Sequence, residues 1–169
     1  MPTSETLPGS VNALLADYLS ARKEAIINEW LERVRGDAAI IATETLNTKA
    51  LKNHLPEIFD DLTDTLRRYG SEAVAEQTIK DAEEHGAARQ QQGYELPEVL
   101  RELKHLRAIL IYHMRVFEDI HAEFGMASRL FVATTLHRFL DEMAIDACEE
   151  YLWSQLSLQD QIHRGRAKY

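Results

Sequence analysis

Apolar residues recur along this chain at three- and four-residue steps, and the longest such run is Val99, Leu100, Leu103, Leu106, Leu110, His113 and Phe117. That spacing lines one face of an α-helix. The helix it predicts runs from about Pro97 to Ala122. Pro97 suits a first turn because its missing N–H would have no partner there, and Glu95 and Glu98 sit at the positive end of the helix dipole. Ahead of it, Gly93 is the natural residue to carry the backbone through positive φ after a preceding helix, Ser71 to Gln92, whose buried side (Val74, Thr78, Ile79, Ala82) is poor. An earlier helix is predicted from a Ser10 cap to Arg35, with Val11, Leu14, Leu15, Tyr18, Leu19, Arg22, Ile26 and Trp30 on one side and Gly36 ending it. Residues 37–46 read either as a short buried helix or as a loop over the core. Asn47 or Thr48 caps the next helix, through Tyr69, with Leu51, Leu55, Ile58, Phe59, Leu62 and Leu66 inward. Pro56 inside that pattern predicts a kink, or two helices meeting near Asn53. A last helix begins near Met126, carries Leu130, Phe131, Leu136, Leu140, Met143, Ala144, Ala147, Tyr151 and Leu152, and meets no stop signal.

The expected architecture is therefore all-α, a bundle of about five helices, with globin-like packing as one form of it. Three parts are expected: a loose terminus at 1–9, a helical domain at 10–152, and an extension at 153–169. In the extension, Leu152, Leu156, Gln159 and Ile162 form a narrow near-heptad seam of the kind that pairs two helices. The last helix also has apolar residues on more than one side, Leu130, His137 and Ala144 on one and Phe131, Leu136, Phe139 and Met143 around the others. A homodimer is the expectation, with Phe131, Phe139, Leu152, Leu156 and Ile162 at its interface or along its exit helix.

Composition narrows the function. At 169 residues with 45% hydrophobic side chains the chain can build one real core, and 7 Gly with 4 Pro leave little room for turn-rich β architecture. A net charge of -9 with no basic stripe argues against a nucleic-acid surface. No run of 18 apolar residues and no charged-then-apolar leader are present, so the cytoplasm is the expected compartment, with no membrane partner. The single cysteine, Cys148, rules out an internal disulfide and any multi-cysteine metal site.

The candidate chemistry is sparse. Two Glu-x-x-His pairs, Glu102 with His105 and Glu118 with His121, have the spacing by which di-iron bundles hold metal, but both lie on one helix where such sites need two. His113 and His137 each fall within an apolar stripe, and an inward histidine in a helical cavity can ligate haem or another planar cofactor; the plainer reading is a hydrogen-bonded core histidine. His85, Arg89, Glu102 and Arg107 put charges close to the longest stripe, where they must be paired. A buried network fixing the angle between two helices is the expectation. No nucleophile motif or phosphate-cradling glycine loop is present, so no enzyme and no bound cofactor are expected.

The order His85-Gly86-x-x-Arg89-x-x-x-Gly93-Tyr94-x-Leu96-x-x-Val99-Leu100-x-Glu102-Leu103-x-x-Leu106-Arg107 resembles the N-terminal domain of RsbRD-type RsbT co-antagonists. So do Trp30-Leu31-Glu32-Arg33-Val34-Arg35 and Leu51-x-x-x-Leu55-Pro56-Glu57-Ile58-Phe59-Asp60-x-Leu62, and the resemblance spans about residues 20 to 150. Such domains also stand at the front of some bacterial sensor histidine kinases, and related stressosome proteins include globin-like input domains, many without haem. The resemblance implies a sensory or partner-binding input module that works on a downstream output domain of the same chain. It transfers no ligand role to His113 or His137.

Overall fold

The computed structural model describes residues 8–52, 55–68, 84 and 87–166. In chain order its elements are α1 (Pro8–Ser20), α2 (Lys23–Gly36), a 3₁₀ turn (Ile41–Glu44), α3 (Thr48–Lys52), α4 (Leu55–Arg67), a short α5 (87–91), α6 (Leu96–Ile120) and α7 (Met126–Arg166). Among the described residues there is no strand, and the architecture is an all-α bundle. α6 and α7 form an antiparallel hairpin, α2 packs along α6, and α1 lies against α4, α7 and α6. The core between them is built from Leu15, Ile26, Trp30, Phe59, Val99, Ile109, Phe117, Phe139 and Leu140. Burying each large side chain contributes about 1.5–3 kcal/mol.

One expected helix is divided. Between α1 and α2, Arg22 leaves helical geometry at φ -110°, ψ 4°. Its N–H turns back to the Leu19 carbonyl at 3.0 Å, and its guanidinium lies 3.8 Å over the Tyr18 ring while donating to the Tyr18 carbonyl. No Gly or Pro marks this break in the sequence. Its cause is tertiary, since it turns Val11, Leu15 and Leu19 into the layer with α4 while Ile26, Trp30 and Val34 face α6. The kink or helix junction that Pro56 predicts near Asn53 falls outside the described residues. α3 opens with the Asn47 side chain accepting the Ala50 N–H at 2.9 Å. α4 is described from Leu55 and carries Ile58, Phe59, Leu62 and Leu66 on its buried side. Asn53 itself, and most of the helix expected at 71–92, lie outside the described residues.

The ambiguous segment 37–46 is a strap fastened over the start of α6. Ile40 is buried beneath it, while Ile41 is 68% exposed. At the other end of the chain, α7 is one unbroken helix of 41 residues. Its inward side carries Val132, Leu136, Phe139, Leu140, Met143, Ala147 and Tyr151. This corrects the sequence expectation for two residues. Phe139, assigned to an outer face, is a core residue at 1% exposure, and His137, assigned to an apolar stripe, is exposed. Their separation is geometric: at about 100° per residue, His137 stands roughly 130° away from the middle of the Leu136, Phe139 and Met143 side.

Candidate functional site

Gly93 bends the chain between α5 and α6 with φ +83°, a conformation that side chains with a Cβ rarely adopt. Tyr94 follows and turns inward. Glu95 and Glu98 then close a reciprocal capping box at the start of α6, the Glu98 Oε2 accepting the Glu95 N–H at 2.7 Å. The other oxygen of Glu98 leaves the helix. It accepts the N–H groups of Ile41 and Ala42 at 2.5 and 3.2 Å, so one buried carboxylate caps both α6 and the strap's 3₁₀ turn. Between strap and turn lies an open groove of about 500 Å³, lined by Ala39, Ile41, Thr45, Gln92, Glu95 and Arg101 among others.

Beneath the turn, Arg89 is 0% exposed and Glu102 1%. The Arg89 Nε donates to Glu102 Oε2 at 2.7 Å, its Nη1 to Gln92 Oε1 at 2.7 Å and to the Ala50 carbonyl at 3.0 Å, and its Nη2 to the Leu51 carbonyl at 2.5 Å. The two carbonyls belong to α3, so the guanidinium ties α3 to α6 while neutralising a carboxylate on α6. Tyr94 completes the arrangement from the turn. Its ring faces the Arg89 guanidinium at 4.9 Å, and its hydroxyl donates to Glu102 Oε1 at 2.9 Å. Burial first, and then the Glu102 anion, push the Tyr94 phenol far up, so it holds its proton and stays a donor.

Two further elements end on this cluster. The Trp30 indole of α2 donates to the Glu102 backbone carbonyl at 3.0 Å. From α7, the Tyr151 hydroxyl donates to the Tyr94 carbonyl at 2.6 Å, and burial raises that phenol as well, with Glu95 and Glu98 adding to the effect. Tyr151 is the last buried residue described on α7, since Leu152, Trp153 and Leu156 beyond it are exposed. The turn, α2, α3, α6 and the point where α7 leaves the core are thus joined through one buried ionic pair.

The sequence had named Arg89 and Glu102, and the structure brings them together. Arg107 stands elsewhere. It is partly exposed and pairs with Asp141 of α7, five residues and about 140° around the helix from Glu102. His85 lies outside the described residues. Sequence reasoning missed Tyr151 and Trp30 as members; the available signal was that a Tyr or Trp inside an apolar stripe must find a partner for its polar atom. His113 is half-buried against the Tyr18 and Tyr112 rings, with its Nε2 3.6 Å from Glu29, and none of these neighbours is the exposed His137. The Glu-x-x-His pairs are also separated by their contacts. Glu102 serves Arg89, His105 faces Asp37, Glu118 faces Arg129 and His121 faces Glu123. Among the described residues no three His, Cys, Asp or Glu side chains are grouped to hold a metal, and no helix is long and apolar enough to cross a membrane. Phe131 is packed partly against the core, and the side chain of Ile162 lies outside the described ones.

Compared with known proteins, residues 24–166 match the family model of the RsbT co-antagonist protein rsbRD N-terminal domain. No curated protein and no solved structure matches the chain.

Proposed function

Since the chain belongs to the RsbT co-antagonist protein rsbRD N-terminal domain family, we propose that it is the sensory and regulatory input module of a bacterial signalling protein, paired as a homodimer and speaking to an output domain through α7. The family supports a regulatory role and not a catalytic one. The output is a sensor histidine kinase or a stressosome co-antagonist, in the cytoplasm in either case.

The observation that carries this reading is the double membership of α7. Up to Tyr151 the helix is part of the core and is fastened to the Arg89–Glu102 pair through Tyr94; beyond it, the same helix continues to Arg166. A change at the turn therefore reaches the departing helix at the Tyr151 hydroxyl. Leu130, Ile145, Leu152 and Leu156 are exposed, and at about 100° per residue they fall within one quarter of the helix circumference. Asp141 stands on the same strip, paired with Arg107. An apolar strip of this length along a helix that outruns its own core is the geometry of a two-fold helix pair. Paired exit helices can hand a rotation or a register shift to a dimeric output domain.

Light scattering over a range of concentrations tests the pairing. A dimer mass at tens of micromolar is expected, falling to the monomer in Leu152→Lys, Leu156→Lys with the core unperturbed by far-ultraviolet circular dichroism. A monomer mass for the wild type at that concentration overturns the homodimer and the exit-helix model with it.

A further inference from the structure

The exposed charges of α6 and α7 are sorted by sign. Beside α7, the outer side of α6 presents Lys104 and Arg107 next to Leu100, which is 43% exposed. With Leu103, and with Ala144 of α7, they line a notch of about 200 Å³ between the two helices. The pairing of Arg107 with Asp141 crosses the same furrow one turn away. Taking Ala144 as the direction of α6, Asp141 stands about 60° round α7, Leu152 about 80°, Ile145 about 100° and Leu156 about 120°. Beyond this strip come Glu149 at about 140° and Glu142 at about 160°. Arg138, at about 120°, stands one turn before Glu142, so the acidic flank begins at Glu142. The strip therefore has a basic shoulder on one side, supplied by α6, and an acidic one on the other, supplied by α7 itself. We propose that a second copy of this chain lays its α7, parallel to the first, in the furrow between α6 and α7. Its Ile145 fills the notch and its Glu142 and Glu149 face Lys104, and each copy makes this contact with the other.

Lys104, Glu142 and Glu149 are exposed and make no ion pair among the described residues, so nothing within one copy answers these charges. Symmetry then decides the orientation. When two helices pair in parallel, the flank on one side of the first meets the opposite flank of the second; when they pair antiparallel, each flank meets its own kind. An antiparallel pair would set Glu142 and Glu149 against the same residues of the second copy, a repulsive contact. A parallel pair instead turns the acidic flank of each copy to the side of the other's α7 where its α6 stands.

The heights along the helices agree with this. Lys104 and Ala144 line one notch and so share a level. Ile145, 51% exposed, is the next residue after Ala144, and at 1.5 Å per residue Glu142 and Glu149 lie within about 8 Å of that level, in reach of a flexible lysine stem. Further along, Leu152 and Leu156 meet their counterparts across the two-fold axis, so the contact runs on without a break into the exit helix. Leu100 and the notch turn a narrow two-helix seam into a contact of four helices, α6 and α7 from each copy.

This inference rests on the homodimer reading, and one experiment separates the two. Sedimentation equilibrium of the full chain at up to tens of micromolar would compare the wild type, Lys104→Glu, the double variant Glu142→Lys, Glu149→Lys, and an equal mixture of the two variants. Either variant alone sets like charges against each other on both sides of the axis, and association about tenfold weaker than wild type is expected. In the mixture, the unaltered Glu142 and Glu149 of one chain meet the unaltered Lys104 of the other, and the reversed charges meet each other, so association should return to the wild-type level. All three positions are exposed, so the far-ultraviolet circular dichroism of each variant should match the wild type. A wild-type dimer that Lys104→Glu leaves at full strength, or variants that do not recover on mixing, overturns the seat in the furrow and leaves the homodimer standing. A monomeric wild type strikes the homodimer reading itself and overturns this proposal with it, leaving the furrow to an acidic helix of another protein.

Discussion

Arg89 spends all three of its guanidinium nitrogens on partners that water cannot replace, because the group is fully buried. Removing it leaves the Glu102 carboxylate and two α3 carbonyls behind. Arg89→Ala is expected to cost about 3–5 kcal/mol, the range for breaking a buried pair from one side, as read from urea unfolding. Arg107→Ala is the matched control. Its pairing with Asp141 is solvent-exposed on both sides, so the expected change is within about 1 kcal/mol. Equal losses in the two variants would show that burial does not separate the pairs as described. The contrast also shows where sequence reasoning about charge stops: nearness to an apolar stripe marked both arginines, whereas the angular positions of Glu102 and Arg107 about α6 separate the two pairs.

At the level of elements, the start of α6 was legible because backbone chemistry fixes it locally. Gly93 supplies the positive φ, Pro97 fits the first turn, and Glu95 with Glu98 makes the capping box from residues three apart. The divided first helix was not legible, since nothing at Ser20 or Ala21 breaks a helix and the bend answers to the layers on either side. Glu98 shows the same limit. Its role in the capping box is local, but its hold on Ile41 and Ala42 spans 57 and 56 residues of sequence and depends on where the strap lies. The inward side of α7 was misread at His137 and Phe139 for a related reason: a helix with apolar residues on several sides does not reveal which side meets the bundle. The bond from Tyr151 to the Tyr94 carbonyl is the element-scale link that matters most. Tyr151→Phe keeps the ring and removes the hydroxyl, so about 1–3 kcal/mol of stability should be lost while the fold is retained. An unchanged urea midpoint would mean that α7 is positioned by apolar packing alone.

Across the whole molecule, the buried pair, the strap and the exit helix form one connected path, with the groove at one end and α7 at the other. α7 itself has one further consequence, concerning how long its amide protons last in heavy water. A helix segment unsupported by tertiary packing opens readily, whereas one embedded in a core exchanges only through larger openings. In a dilute sample the slow-exchanging amides of α7 should therefore end close to Tyr151, with the turns after it labelled within the first time points. If two copies pair along Leu152 and Leu156, raising the protein concentration should carry that boundary outward past Leu156 and leave the rest of the map unchanged. The position of one edge in an exchange profile would then report, residue by residue, how far the departing helix is held.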